Sequence, residues 1–167
     1  MPSETSAHRL HAADGRKPHV VIVDGDPANA TVTSLLVEQF GCTAIAVPSG
    51  EAALALLRSN REIVDLALID LAIRDMDGIV AALLMREMKD RHDMPIIPLA
   101  SQYDDLSASR SRAARFSSGL TKPYSPRQLF IVMNAALRHR DGAPSTLRSM
   151  QLSGPQSAKG RVELGAK

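Results

Sequence analysis

Four short segments of the chain carry side chains that could act together. Asp24-Gly25-Asp26 follows the apolar run His19–Val23, and Asp70 follows Leu66–Ile69. Ala100-Ser101 follows Pro95–Leu99, and Lys122-Pro123 follows a short run near Gly119–Thr121. A single Asp after an apolar run is ordinarily a turn residue or a helix cap. Acids after two such runs, with an ammonium after a third, suggest more. Carboxylates brought together repel unless a cation joins them, and a hard, oxygen-rich site suits Mg²⁺.

These residues can share one edge only if the runs before them lie side by side. His19–Val23 is a continuous β-branched run with the length of a fully buried strand. Thr43–Val47, Leu66–Ile69, Pro95–Leu99 and a short stretch near Gly119–Thr121 read as four more strands. Helical patterns separate them. Asp26-Pro27 opens a helix whose predicted apolar face is Leu35, Leu36, Val37 and Phe40, closed by Gly41. Ser49 caps a second helix carrying Ala52, Leu54, Leu56 and Leu57. Asp77-Gly78 opens a third with Ile79, Val80, Leu83, Leu84 and Met88. A Ser- and Arg-rich fourth helix is expected around Asp104–Arg115, and Ser125-Pro126 opens a last one with Leu129, Phe130, Val132, Met133 and Leu137. Five β-then-α units predict a doubly wound α/β fold: a parallel five-stranded sheet with helices on both faces and the functional crevice outside the carboxyl ends of the strands.

The 167 residues suffice for one such domain, and with 3% aromatics its core must be aliphatic. The expected organisation is an unstructured segment over 1–17, a domain over 18–141 and an unstructured tail over 142–167, because both ends are polar and lack a sustained period. A formal charge of only +2 gives no ground for a nucleic-acid partner. No apolar stretch approaches the roughly 20 residues of a membrane span, and no signal peptide is visible, so a cytoplasmic protein is expected. Cys42 is the single cysteine and reads as a buried thiol. His8, His11 and His19 are too irregularly spaced for a metal site and read as solvated.

Across about Pro18–Arg140 the sequence resembles the response regulator receiver family of two-component signalling, in the segments VIVDGDP, VDLALIDLAIRDMDG, MPIIPLAS and GLTKPYSP. The resemblance implies a flavodoxin-like fold, with Asp70 as the carboxylate that accepts a phosphoryl group from a phosphohistidine. It implies that Asp24 belongs to the acidic pocket that holds Mg²⁺, that the Ala72 carbonyl is a metal ligand, and that Lys122 contacts the acyl phosphate. The bond from Lys122 to Pro123 is often cis in the family. Implied partners are a histidine kinase or histidine phosphotransfer protein, and a downstream protein docking on the face of the fourth helix, fifth strand and fifth helix. No enzymatic activity is implied beyond the domain's own phosphorylation and dephosphorylation. In-line phosphoryl transfer fits such a site, because it needs positioning and charge neutralisation more than covalent help.

The family pattern breaks at several positions. Its second acid falls on Gly25; losing a unit charge near a cation costs roughly 1 kcal/mol in water-like surroundings and about 4 at an effective dielectric of 20. Asp26 either reaches around Gly25 to compensate or caps the helix. The family's hydroxyl after the fourth strand falls on Ala100, and Ser101 beside it points to the other face of a strand. The aromatic that rotates with that hydroxyl falls on Gly119, whereas Tyr124 matches an aromatic that packs. Phe116 replaces a small residue and is a candidate to occupy the vacated space, and Arg74 replaces a proline. Arg110, Arg112 and Arg115 on the fourth helix form either a solvated face or a docking surface for an acidic partner. The favoured reading is a phosphorylatable single-domain receiver that signals by protein contact. The alternatives are a pseudo-receiver that binds its partner without phosphorylation, and a haloacid-dehalogenase-like phosphatase suggested by the Asp24-Gly25-Asp26 spacing.

Overall fold

A computed structural model of the chain describes residues 9–59, 61, 63–101 and 113–139. In chain order the elements are β1 (His19–Val23), α1 (Pro27–Gln39), β2 (Thr43–Val47), α2 (Gly50–Ser59), β3 (Leu66–Asp70), α3 (Gly78–Glu87), β4 (Ile96–Ala100), β5 (Leu120–Thr121) and α4 (Pro126–His139). The strands pair in parallel in the order β2-β1-β3-β4-β5. The winding direction reverses between β1 and β3, so the crevice opens at the carboxyl ends of those two strands. Register aligns Val23 with Ile69, so Asp24 emerges beside Asp70.

Alternation along the buried strands feeds two cores. Val21, Val23, Ala67, Ile69 and Ile96 pack with Leu54 and Leu57 of α2 and Ile79 and Met85 of α3. Val20, Ile22, Leu66, Leu68, Ile97 and Leu99 pack on the other side with Val37 of α1 and Leu129, Met133 and Leu137 of α4. Side-chain caps set the helix starts. Asp26 accepts from the Ala28 and Asn29 amides, Asp77 from that of Ile79, and Ser49 from that of Ala52. Ser125 and Gln128 cap each other's backbone amides reciprocally at the start of α4.

Several expectations change. α1 buries Ala30, Thr33 and Val37, with Phe40 at its end, whereas Leu35 is 56% exposed. Residues three and four apart share a helix face, and Leu35 lies two from both Thr33 and Val37. α3 buries Ala81, Ala82 and Arg86 rather than Leu84. The expected unstructured segment 1–17 fails over residues 9–17. Leu10 enters the α1/α4-side core and its amide donates to the Phe40 carbonyl at 2.8 Å. Arg16 forks onto the buried carboxylate of Asp65 at 2.6 and 2.8 Å, and the same carboxylate accepts the His19 amide. Asp65 sits immediately before β3, so this strap lies at the edge of the sheet opposite Asp70. Arg115 is not helical: its φ is 47°, in the left-handed region. The rest of the expected fourth helix to residue 112, with Arg110 and Arg112, and the tail over 142–167 lie outside the described residues.

Cys42 is fully buried, and burial pushes its thiol up to about 12, which suits an inert core residue. Among the described residues no helix is long and apolar enough to cross a membrane.

The start of α3 is pressed against the loop that follows Asp70. A Cβ on Gly78 would lie 2.6 Å from the Asp70 carbonyl oxygen and 2.7 Å from the Leu71 Cα, both backbone atoms. Helix propensity alone favours alanine over glycine by about 1 kcal/mol. The clash should outweigh that gain, so Gly78→Ala is expected to lose about 1–3 kcal/mol of stability. Thermal unfolding followed by circular dichroism checks this; an unchanged or raised midpoint contradicts the close approach.

Candidate functional site

Three strands deliver the charged groups to one place. Asp24 and Asp70 are buried, at 3% and 7% exposure. Their carboxylates are oriented in the same way: Asp24 Oδ1 accepts the Asp26 amide at 2.8 Å, and Asp70 Oδ1 accepts the Ala72 amide at 2.9 Å. Each side chain is thus tied to the backbone two residues ahead, which directs the second oxygen elsewhere. Asp70 Oδ2 accepts from Lys122 Nζ at 2.8 Å, and Asp24 Oδ2 lies 3.6 Å from the same nitrogen. Lys122 is held just beyond the end of β5. Its amide donates to the Ala100 carbonyl at 2.8 Å, and its bond to Pro123 is cis.

The Lys122 ammonium balances opposing influences. Burial, the largest, disfavours its charge. The hydrogen bond and charge of Asp70, then the fields of Asp24 and Tyr124, outweigh burial, and its pKa is raised above the usual lysine value. Lys122 therefore stays charged throughout the neutral range and loses its proton only above the ordinary lysine range.

The donor set is compatible with a hard divalent cation, though a poor one. Asp24 Oδ2 is buried and has no hydrogen-bond partner, an arrangement that a cation satisfies. Yet among the described residues no three His, Cys, Asp or Glu side chains group closely enough to hold a metal. Residue 25, where the sequence resemblance places a second acid, is glycine. Asp26, left open between ligand and cap, serves as the cap of α1 through Oδ1.

Ala100, Ser101 and Gly119 lie where the strand pattern puts them. Ala100 ends β4 fully buried, and Ser101 is exposed in the bend beyond it. Gly119 directly precedes β5, which pairs Leu120 with Leu99 and Thr121 with Ala100. Phe116 packs against the α2/α3-side core. Tyr124 packs on the opposite side, and its hydroxyl lies 3.1 Å from Thr33 Oγ1 of α1. Arg74 is exposed.

Two tertiary contacts escape sequence reading. Asp75, in the loop after Asp70, accepts the Gly50 and Glu51 amides at 3.1 and 3.0 Å, capping α2 from a distance in sequence. Those amide bonds, the Glu51 bond foremost and against slight burial, hold its pKa below the usual carboxylate value. Arg86 is buried and donates to the carbonyls of Ala114 (3.2 Å), His92 (2.9 Å), Arg115 (2.9 Å) and Met94. It ties α3 to the chain on both sides of β4. The Asp75 clamp has only a faint signal, an acid in a loop already rich in acids. A lone Arg in a helix reads as a surface charge.

Residues 20–134 match the family described as "Response regulator receiver domain". The chain belongs to the response regulator receiver family. The receiver is 36% identical over 124 residues to the heme response regulator HssR of Staphylococcus aureus strain Newman, covering 71% of this chain and 50% of that protein. It is 33% identical to the sensor histidine kinase GacS of Pseudomonas protegens, over 98% of this chain and 17% of the kinase. The chain thus spans half or less of both relatives. The CheY-like receiver from Methanospirillum hungatei JF-1 superposes with a TM-score of 0.68 at 23% identity, over 76% of this chain and 98% of that one. That likeness bears out the doubly wound, flavodoxin-like fold. The family match leaves no ground for the phosphatase reading. Receivers of this family are signalling modules of two-component systems that interact with histidine kinases and generally bind Mg²⁺ in the acidic pocket.

Gly25 has an ordinary φ, and a Cβ there would meet only the Pro48 carbonyl oxygen at 3.5 Å, an ordinary contact. Gly25→Asp is therefore accommodated, and it is expected to tighten Mg²⁺ binding by about fivefold to several-hundredfold; unchanged binding by calorimetry contradicts the assignment of the gap. Asp75 has a lowered native pKa, so its contribution is full above the ordinary aspartate value and is lost as pH falls through the native one. Asp75→Asn should therefore flatten the acid limb of the stability–pH curve below about pH 4. An acid limb identical to that of the wild type contradicts the clamp.

Proposed function

We propose that Asp70 accepts a phosphoryl group from a phosphohistidine and that the resulting charge is answered by Lys122. The observation that carries this reading is the 2.8 Å bond from Lys122 Nζ to Asp70 Oδ2, with Asp24 Oδ2, which accepts no hydrogen bond, 3.6 Å from the same nitrogen. A carboxylate oxygen of Asp70 attacks phosphorus, the P–N bond to the donor imidazole breaks, and its electron pair stays on the ring nitrogen. Lys122 supplies fixed positive charge beside the phosphoryl oxygens, and its raised pKa keeps that charge at neutral pH. The Ala72 amide holds Asp70 in one orientation throughout. Asp24, Asp70 and the Ala72 carbonyl would hold Mg²⁺, which supplies further neutralisation of the phosphoryl charge when bound. With no acid at Gly25, that affinity is weak.

The phosphodonor is a histidine kinase or histidine phosphotransfer protein, and the output is contact with a downstream protein in the cytoplasm. In the family that contact uses the face that here includes β5 and α4. Nucleic acid and membrane are not partners in this reading. Gly25, Ala100 and Gly119 favour a second reading, a pseudo-receiver that docks its partner without phosphorylation.

Incubation with Mg²⁺ and acetyl phosphate separates the two. Intact mass spectrometry should report one acid-stable but base- and hydroxylamine-labile phosphoryl adduct, lost in Asp70→Asn. A wild-type protein that forms no adduct and does not respond to beryllofluoride overturns the phosphoacceptor reading in favour of the pseudo-receiver.

A further inference from the structure

We propose that Tyr124, anchored on Thr33, is the positioning residue for Lys122 and couples the charge state of Asp70 to helix α1. The tie between them is one hydroxyl pair. Tyr124 Oη and Thr33 Oγ1 lie 3.1 Å apart, joining residues 91 positions apart in sequence. Thr33 is 3% exposed on the buried face of α1, and the Tyr124 ring packs against the core that contains Val37 of α1 and Leu129 and Met133 of α4. A hydroxyl buried there without its partner is costly, so the two groups hold each other in place.

The link back to Asp70 is short. Tyr124 is two residues beyond Lys122, and the residue between is Pro123, whose ring fixes φ. A displacement of Lys122 therefore passes along a stiff segment. The Lys122 ammonium sits 2.8 Å from Asp70 and 3.6 Å from Asp24, so its position answers to the charge on Asp70. Neutralising Asp70 weakens its hold on the ammonium relative to Asp24; a phosphoryl group, on the reading proposed above, moves the negative charge outward. Either change pulls on Lys122 and, through Tyr124, on Thr33.

Neither Ala100, at the end of β4, nor Gly119, before β5, offers a comparable device. Ala100 brings no hydroxyl and Gly119 no ring, so neither residue can carry movement from the site by a hydroxyl–aromatic contact. On α1 the signal has a surface to act on, since Val32 and Leu35 flank Thr33 and are 59% and 56% exposed.

The test is a double-mutant cycle read by amide chemical shifts along α1. Asp70→Asn is the trigger, and Tyr124→Phe and Thr33→Val each remove one hydroxyl while keeping the shape. Asp70→Asn should shift the α1 amides around Thr33, and Tyr124→Phe or Thr33→Val should remove about half or more of that response, the two together removing no more than either alone. Thr33→Ser, which keeps the hydroxyl, should retain the response. An α1 response that is equal in wild-type and Tyr124→Phe backgrounds overturns the proposal, as does Thr33→Ser behaving like Thr33→Val.

The cycle involves no phosphoryl group, so it decides the coupling independently of Asp70 phosphorylation. A parallel titration with Mg²⁺ and beryllofluoride bears on phosphorylation alone. Absence of a beryllofluoride response with an intact cycle removes the phosphoacceptor reading and keeps the coupling.

Discussion

Two buried carboxylates face one ammonium, and much of the carboxyl edge of the sheet serves that imbalance. Asp24 and Asp70 each spend one oxygen on a backbone amide two residues ahead, which turns both remaining oxygens toward Lys122. The register of β1 against β3 decides that the acids are neighbours, and the pairing of β5 with β4 decides that the lysine reaches both. A one-residue slip in either ladder would send a charged side chain to the wrong face. One lysine cannot neutralise two acids, and the surplus negative charge makes the site receptive to a cation.

The loop after Asp70 is held on several sides. α3 lies against it at Gly78, where only hydrogen fits. Asp75 fastens it to the start of α2, and Met76 lies over Gly50 on the same helix. Such constraints suit a reaction in which positioning does much of the work. They also limit where movement can go, because the loop is clamped to both α2 and α3.

The elements were legible in the sequence because buried parallel strands leave continuous β-branched runs and helix starts leave caps such as Asp26, Ser49 and Asp77. Asp24, Asp70 and Lys122 were legible because each directly follows, or lies close after, such a run. What stayed hidden depends on partners distant in the chain. Asp75 is one acid among several until its contact with α2 exists. Arg86 reads as a surface charge until four carbonyls surround it. Leu10 is an isolated apolar residue in a polar stretch, and only the folded core that holds Val37, Phe40 and Leu137 gives it a place to go. Leu35 misled for the opposite reason: its apolarity suggests a core position that the helical period denies it.

The strap formed by residues 9–17 gives the domain a directional geometry. Arg16 fastens the incoming chain to Asp65, ahead of β3, and at the far end of α4 His139 borders a cavity with His92 and Pro95, ahead of β4. Chain entrance and exit therefore share the pole remote from Asp70. A unit wired in this way can be spliced behind or between other folded units while the pole that carries Asp24 and Asp70 faces away from both junctions. Polypeptides as different in length as a sensor kinase and a compact regulator can carry the same module without rebuilding it.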